Sequence, residues 1–214
     1  MKQAVSRAFS ILLLAMATLT GCIPDSSQAE EFKQGEQFNV IDPPIPTQAP
    51  TGKVEVTELF WYGCPHCYAL EPTIETFLKN KPDNIVFQRV PATLSPRWAY
   101  HAKLFYVSQM LDPTGEKHIH TKIFEAIQKQ RRHIDNDDSL TRFFTDNGFS
   151  VEQVRGAMQS MEMMTSLARA DEIGAKSKAD SVPSIIVNGK YITSPSMVGS
   201  EEKLLQVIDY LSKR

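Results

Sequence analysis

The apolar and polar positions of the chain fall into distinct stretches. Residues 8–19 carry no charge and follow a short basic start with Lys2 and Arg7. Residues 23–33 are polar and lack apolar periodicity, so they read as a tether. Gln37 to Ile41 predicts a short strand, and Pro43, Pro44, Pro46 and Pro50 then predict a stiff extended connection. Val54 to Tyr62 is dense in β-branched and aromatic residues, the pattern of a buried strand. Gly63 ends it. From Pro65 the pattern turns helical, with Leu70, Ile74, Phe77 and Leu78 on one side. Pro65 suits a first helical turn, whereas Pro72, one turn further in, predicts a kink. Ile85 to Val90 is a second apolar strand. Residues 54–90 are therefore a β-α-β unit, which implies a parallel strand pair.

No convincing strand occurs between residues 96 and 176. Ser95 and Pro96 open one helix, and Glu116 to Lys129 is a second. Asp137 to Asn147 is a third, ended by Gly148. Ser150 opens a fourth, with Gln153 at the capping-box position. Ser184 to Val187 is again a strand; Asn188-Gly189 signals a tight hairpin, and Lys190 to Thr193 returns. Ser200 to Leu211 closes the chain as a helix, acidic at its start and basic at its end. A β-α-β unit followed by β-β-α is the thioredoxin order. The predicted fold is thus α/β, a thioredoxin fold with an inserted helical domain. Its predicted segments are a leader at 1–21, a tether at 22–36, a first thioredoxin part at 37–95, the helical insert at 96–176 and a second thioredoxin part at 177–214.

The apolar run near the start is too short for a membrane span, which needs about 20 residues. Its length suits a secretory signal peptide. It ends in Leu19-Thr20-Gly21-Cys22, which resembles the lipobox of bacterial lipoproteins. That resemblance implies cleavage before Cys22 and lipid attachment to it. Ser27-Gln28-Ala29 is a rival cleavage site for plain secretion, but it lies far past the apolar run. Both readings take the protein out of the cytoplasm.

Composition narrows the picture without adding a partner. At 214 residues, 42% hydrophobic and 22% charged, the chain has ordinary globular make-up. A net charge of −2 argues against a broad nucleic-acid-binding surface. Three cysteines are too few for a disulfide scaffold.

Two of those cysteines stand as Cys64-Pro65-His66-Cys67, between a strand and the helix that follows. In that setting C-x-x-C is a redox signature. Both thiols lie within one helical turn. Free N–H groups and the positive end of the helix face Cys64 and favour its thiolate. His66 adds a further donor. Such surroundings can lower a cysteine pKa from about 8.5 to as low as ~3.5. Each pKa unit is worth about 1.4 kcal/mol, so a stabilised thiolate makes its disulfide strongly oxidising. Cys64 is the expected nucleophile and Cys67 the partner thiol. The bland alternatives are an inert disulfide and a zinc site. Zinc would need two more ligands at suitable spacing. Cys22 belongs to the leader, and His118 and His120 are two apart, so no metal is expected.

At Phe60-Trp61-Tyr62-Gly63-Cys64-Pro65-His66-Cys67-Tyr68 the sequence resembles the DsbA family of periplasmic thiol:disulfide oxidoreductases. Leu70-Glu71-Pro72 and Asn188-Gly189-Lys190-Tyr191 continue the likeness, which runs from about Phe32 to the C-terminus. Val182-Pro183 matches the family's cis-proline site, which implies that Pro183 is cis and that Val182 offers backbone groups to a substrate chain. Glu58, six residues before Cys64, matches a buried acid that relays the proton of Cys67. The resemblance implies oxidation of unfolded secreted proteins by a redox-active disulfide with no bound cofactor. It also implies reoxidation by a DsbB-like, quinone-linked membrane partner. The lipobox suggests a membrane-tethered version, and the default state is a monomer. Met158, Met161, Met163 and Met164 read as core residues on one helix, and His101 and His133 as ordinary surface or packing residues.

Two other functions share these features. A reductase or isomerase could use the same fold, but an isomerase of the DsbC kind carries an N-terminal dimerisation domain. Only about 30 residues separate Cys22 from Val54. A non-catalytic chaperone or metal-binding lipoprotein would keep its function when Cys64 is replaced by Ser.

Overall fold

The apolar run at residues 54–60 forms the centre of a five-stranded sheet. The computed structural model describes residues 31–214. The strands are β1 (Asn39–Val40), β2 (Val54–Phe60), β3 (Ile85–Pro91), β4 (Ser184–Val187) and β5 (Tyr191–Thr193). Their order across the sheet is β1-β5-β4-β2-β3. The β2 and β3 strands pair in parallel, as the β-α-β reading requires, and β4 runs antiparallel to β2. Six of the seven β2 residues are buried, because helices cover both faces of the sheet at this strand. At the hairpin, Asn188 and Gly189 both take positive φ, +54° and +63°. That is the backbone a two-residue turn between antiparallel strands demands.

Helix α1 (Pro65–Asn80) follows β2 and turns Leu70 and Ile74 into the core. It continues past Pro72 as one element, so the expected kink does not divide it. Between β3 and β4 lie α2 (Pro96–Leu111), α3 (Ile119–Gln128), α4 (Asp137–Asp146), α5 (Val151–Met158) and α6 (Met161–Ser177). After β5 come α7 (Pro195–Val198) and α8 (Glu201–Ser212). This is a thioredoxin-type sheet with helical segments inserted into it.

Local chemistry explains where these helices begin. Ser95, Asn136, Ser150, Ser160, Ser194 and Ser200 each accept an N–H of the first turn behind them. The second helix of the insert starts at Ile119 rather than Glu116, because the Asp112 carboxylate takes the N–H groups of Lys117 and Ile119 at 3.1 and 3.2 Å. The Ser160 cap separates α5 from α6, so the four methionines do not share one helix. Met163 is in the core, but Met161 and Met164 are 72% and 63% exposed. The short α7 escapes a periodicity argument because it is only four residues long.

The packed unit starts at Phe32. Phe32 is buried against the Tyr210 ring, and its carbonyl accepts the Tyr210 hydroxyl at 3.2 Å. The last residues of the stretch read as a tether, from Phe32 to Glu36, therefore belong to the folded part. Cys22 and the leader lie outside the described residues. No helix among the described residues is long and apolar enough to cross a membrane.

Candidate active site

Strand β2 delivers the chain to Phe60, and Trp61 to Gly63 turn it into α1. The turn is closed by the Cys64 N–H, which donates to the Trp61 carbonyl at 2.9 Å. Gly63 is required there, since a Cβ would lie 2.2 Å from the Trp61 ring. The ring is itself stacked on Trp98 at 4.4 Å. Cys64 is the N-cap of α1, and Pro65 occupies the first turn, where a missing N–H costs nothing.

Both thiols are free, so the pair is in its dithiol form. The Cys67 N–H donates to the Cys64 sulfur at 3.4 Å. The Cys67 thiol and the N–H groups of Cys67 and His66 stabilise the Cys64 thiolate and lower its pKa to about 6. Cys67 is fully buried, and that burial drives its pKa far upward. One thiol is therefore acidic and the other holds its proton. Cys64 is less open than an exposed nucleophile would be. Only 8% of its surface is accessible, because the loop before β4 packs against it. In its thiol form Cys64 donates to the Val182 carbonyl at 3.3 Å.

Val182-Pro183 is a cis peptide bond, as is Asp42-Pro43. Val182 and Pro183 line a groove of about 390 Å³ with His66, Ala69, Leu70 and Pro195. Most of this wall is hydrocarbon, and it begins at the helical turn that carries the cysteines.

Glu58 is fully buried, and its charge acts on Cys67. In the parallel register it stands opposite Arg89, and Arg89 Nε lies 3.3 Å from Glu58 Oε2. Burial raises the Glu58 pKa to about 8 despite the guanidinium. Arg89 Nη2 also reaches Glu71 at 3.1 Å and Glu75 at 3.3 Å. Burial would push Glu71 upward, but His120 and Arg89 outweigh it and hold the carboxyl below its ordinary value.

A sequence profile described as "DSBA-like thioredoxin domain" matches residues 55–204. The chain is 36% identical to the thiol:disulfide interchange protein DsbA of Pseudomonas syringae pv. tomato, over 92% of this chain and 90% of that one. It is 35% identical to the Burkholderia cepacia DsbA, over 98% and 97%. The crystal structure of Pseudomonas aeruginosa DsbA superposes with a TM-score of 0.79 at 31% identity, covering 85% of this chain and 93% of that one. This chain belongs to the DsbA family. It is a protein dithiol oxidase of the DsbA type, and its redox-active group is the Cys64/Cys67 pair.

Two DsbA-site residues escape the sequence reading because they come from the helical insert. The Tyr62 hydroxyl meets His120 Nδ1 at 2.7 Å, and His120 Nε2 faces Glu71 at 3.4 Å. Burial lowers the His120 pKa, against the opposing pull of Glu71. Assigning the ring hydrogen to Nε2, on the side of Glu71, leaves Nδ1 to accept from Tyr62. Gln128 Nε2 donates to the Tyr62 carbonyl at 2.7 Å. The active-site turn is thus held by α3 at both ends of Tyr62. Arg89 offered a signal, as the one charge in an otherwise apolar strand run. His120 offered none beyond its residue type. His118 and His120 do diverge: the first is an exposed N-cap of α3, the second faces the buried cluster. Among the described residues no group of three or more metal-ligating side chains is assembled. His101 is a buried packing residue stacked on Trp61, while His133 is exposed.

Proposed function

We propose that this chain oxidises cysteine pairs of secreted proteins through Cys64. A substrate thiolate attacks Cys64 Sγ of the Cys64–Cys67 disulfide. The S–S bond breaks, its electron pair passes to Cys67, and Cys67 takes up a proton. Glu58, buried and with its pKa raised to about 8, is an acid that can supply one. A second substrate thiolate then attacks the substrate sulfur of the mixed disulfide. Cys64 leaves as a thiolate, the substrate is oxidised and the enzyme is a dithiol. His66 and the helix N–H groups stabilise that leaving thiolate, and Pro65 keeps the first turn free for it. Val182 and Pro183 receive the substrate backbone beside the apolar groove. The observation that carries this reading is the contrast between an acidic Cys64 at a helix N-cap and a buried, proton-holding Cys67.

The deciding experiment equilibrates the pair with glutathione buffers. A reduction potential of about −120 mV, the range already known for DsbA, is expected. A value near −270 mV would reverse the direction of electron flow. Cys64→Ser must also lose disulfide-forming activity; full activity would make the chain a thiol-independent binding protein.

The same reading places the protein in the periplasm. Its family supports protein-thiol substrates and a DsbB-like membrane partner that returns electrons to quinone. Leu19-Thr20-Gly21-Cys22 supports a lipid anchor on Cys22. Expressed from the full chain, the protein should fractionate with membranes and become soluble on Cys22→Ala. Solubility of both forms would refute the anchor.

A further inference from the structure

A second concave surface adjoins Cys64 besides the apolar groove. Gly63 and Pro65, the two neighbours of Cys64, form part of its wall together with Trp61. The rest comes from the helical insert: the end of α3, the start of α2 and the turn after α3. Its volume is about 250 Å³, room for one or two side chains. Arg97, Arg131 and Arg132 line it, and no carboxylate does.

Three guanidiniums at one pocket are unusual on a chain whose net charge is −2. Their own surroundings leave most of that charge uncompensated. Arg132 is held by Asp146 at 3.3 Å and lies over the Phe143 ring. Arg97 and Arg131 are exposed, and neither has a carboxylate in ion-pair range among the described residues. Arg131 is also held in a left-handed backbone conformation, φ +56°, a position where arginine has no intrinsic preference. Of the nearby acids, Asp137 is taken up by Lys103 and Tyr100, whereas Asp146 serves Arg132 of the pocket itself, so the uncompensated charge is that of Arg97 and Arg131.

We infer that Arg97, Arg131 and Arg132 form a recognition surface for substrate polypeptides that carry aspartate or glutamate beside the reacting cysteine. The inference rests on the oxidase reading above and adds a substrate class to it. A cysteine that reaches Cys64 has chain on both sides of it. One side can lie along Val182 and Pro183, where contacts are apolar and backbone-based. A flanking carboxylate on the other side meets the arginines, whose fork geometry suits carboxylates. Opposite charge around the mixed disulfide raises the encounter rate and makes it sensitive to salt.

The test uses the oxidised protein and three dithiol peptides that differ only at two residues flanking one cysteine: Asp-Glu, Asn-Gln or Lys-Lys. Rates are divided by the Asn-Gln rate of the same enzyme preparation, which cancels any change in Cys64 reactivity. At low salt the acidic peptide should react about tenfold faster than the neutral one, and the basic peptide more slowly. The advantage should shrink toward unity at 0.5 M NaCl. In Arg97→Gln/Arg131→Asn the ratio should fall to about one at all salt concentrations. Asn is chosen at 131 because it tolerates the left-handed backbone. Equal rates for the three peptides in the unmodified protein would overturn the inference and leave the oxidase reading intact. No oxidation of any peptide would overturn the oxidase reading instead. Equal rates together with arginine-dependent binding to phosphatidylglycerol vesicles would make the pocket a membrane contact, and the inference would fail.

Discussion

Cys64 and Cys67 share one helical turn yet differ sharply in acidity. The difference comes from three N–H or S–H donors around one sulfur and from burial around the other. Alkylation of the reduced protein should therefore follow a single thiolate with a midpoint near pH 6. Cys64→Ser should abolish that reaction, while Cys67→Ala should keep it and move the midpoint upward, since the Cys67 thiol is the largest stabilising contact. The same shift makes stability depend on pH. A depressed folded pKa means the contribution is complete above the unfolded thiol value near 9 and is lost as pH falls through about 6. Relative to the oxidised form, the dithiol form should gain about 1–3 kcal/mol between these limits, a figure reduced for solvent screening through the accessible edge of the sulfur. Denaturant midpoints of both forms across this range check it. The cysteine pair and its two intervening residues were legible from residue type and placement, and Val182-Pro183 from the family resemblance alone. The engagement of Cys64 by the Val182 carbonyl was not, because it joins residues 118 apart in the chain.

At the level of elements, most boundaries follow from caps and turn residues. The Ser95, Ser150 and Ser200 caps and the Asn188-Gly189 hairpin are local chemistry, readable without a structure. The hairpin has a second requirement that is not local. A Cβ on Gly189 would lie 2.0 Å from the Ile45 carbonyl oxygen, and the Ile45 N–H donates back to the Gly189 carbonyl at 2.8 Å. Gly189→Ala should therefore cost more than its positive φ alone, about 2–4 kcal/mol, and lower the thermal midpoint by roughly 5–10 °C. An Asn188→Ala control, also at positive φ but without that approach, should cost less. The start of α3 shows where local reading stops. Asp112 caps it from across a turn, and this moved the helix start by three residues from Glu116 to Ile119.

Across the whole molecule, one buried cluster ties three parts together. Arg89 on β3 bridges Glu58 on β2 and Glu71 and Glu75 on α1, and His120 brings the helical insert into contact through Glu71. Removing the one guanidinium leaves buried carboxylates without compensation. Arg89→Met should destabilise the fold by about 3–5 kcal/mol, read as a lower urea midpoint. It should also raise the Glu58 pKa further, since Arg89 is its main lowering influence. Gln128→Ala, which frees the Tyr62 carbonyl without touching that cluster, should cost only about 1 kcal/mol.

The sequence by itself determined the strand and helix order, the parallel pair, the hairpin and the redox pair at a helix start. Each follows from periodicity, capping or turn chemistry within a few residues. It also carried the resemblance that the comparisons bore out. Only the tertiary structure decided which polar groups share the site. Glu58 meets Arg89 through strand register, and His120 and Gln128 reach Tyr62 from an insert 58 and 66 residues away. The basic pocket beside Cys64 likewise exists only where α2, α3 and the active-site turn converge. Contacts of this kind are set by packing between distant segments, and no local pattern of residues encodes them.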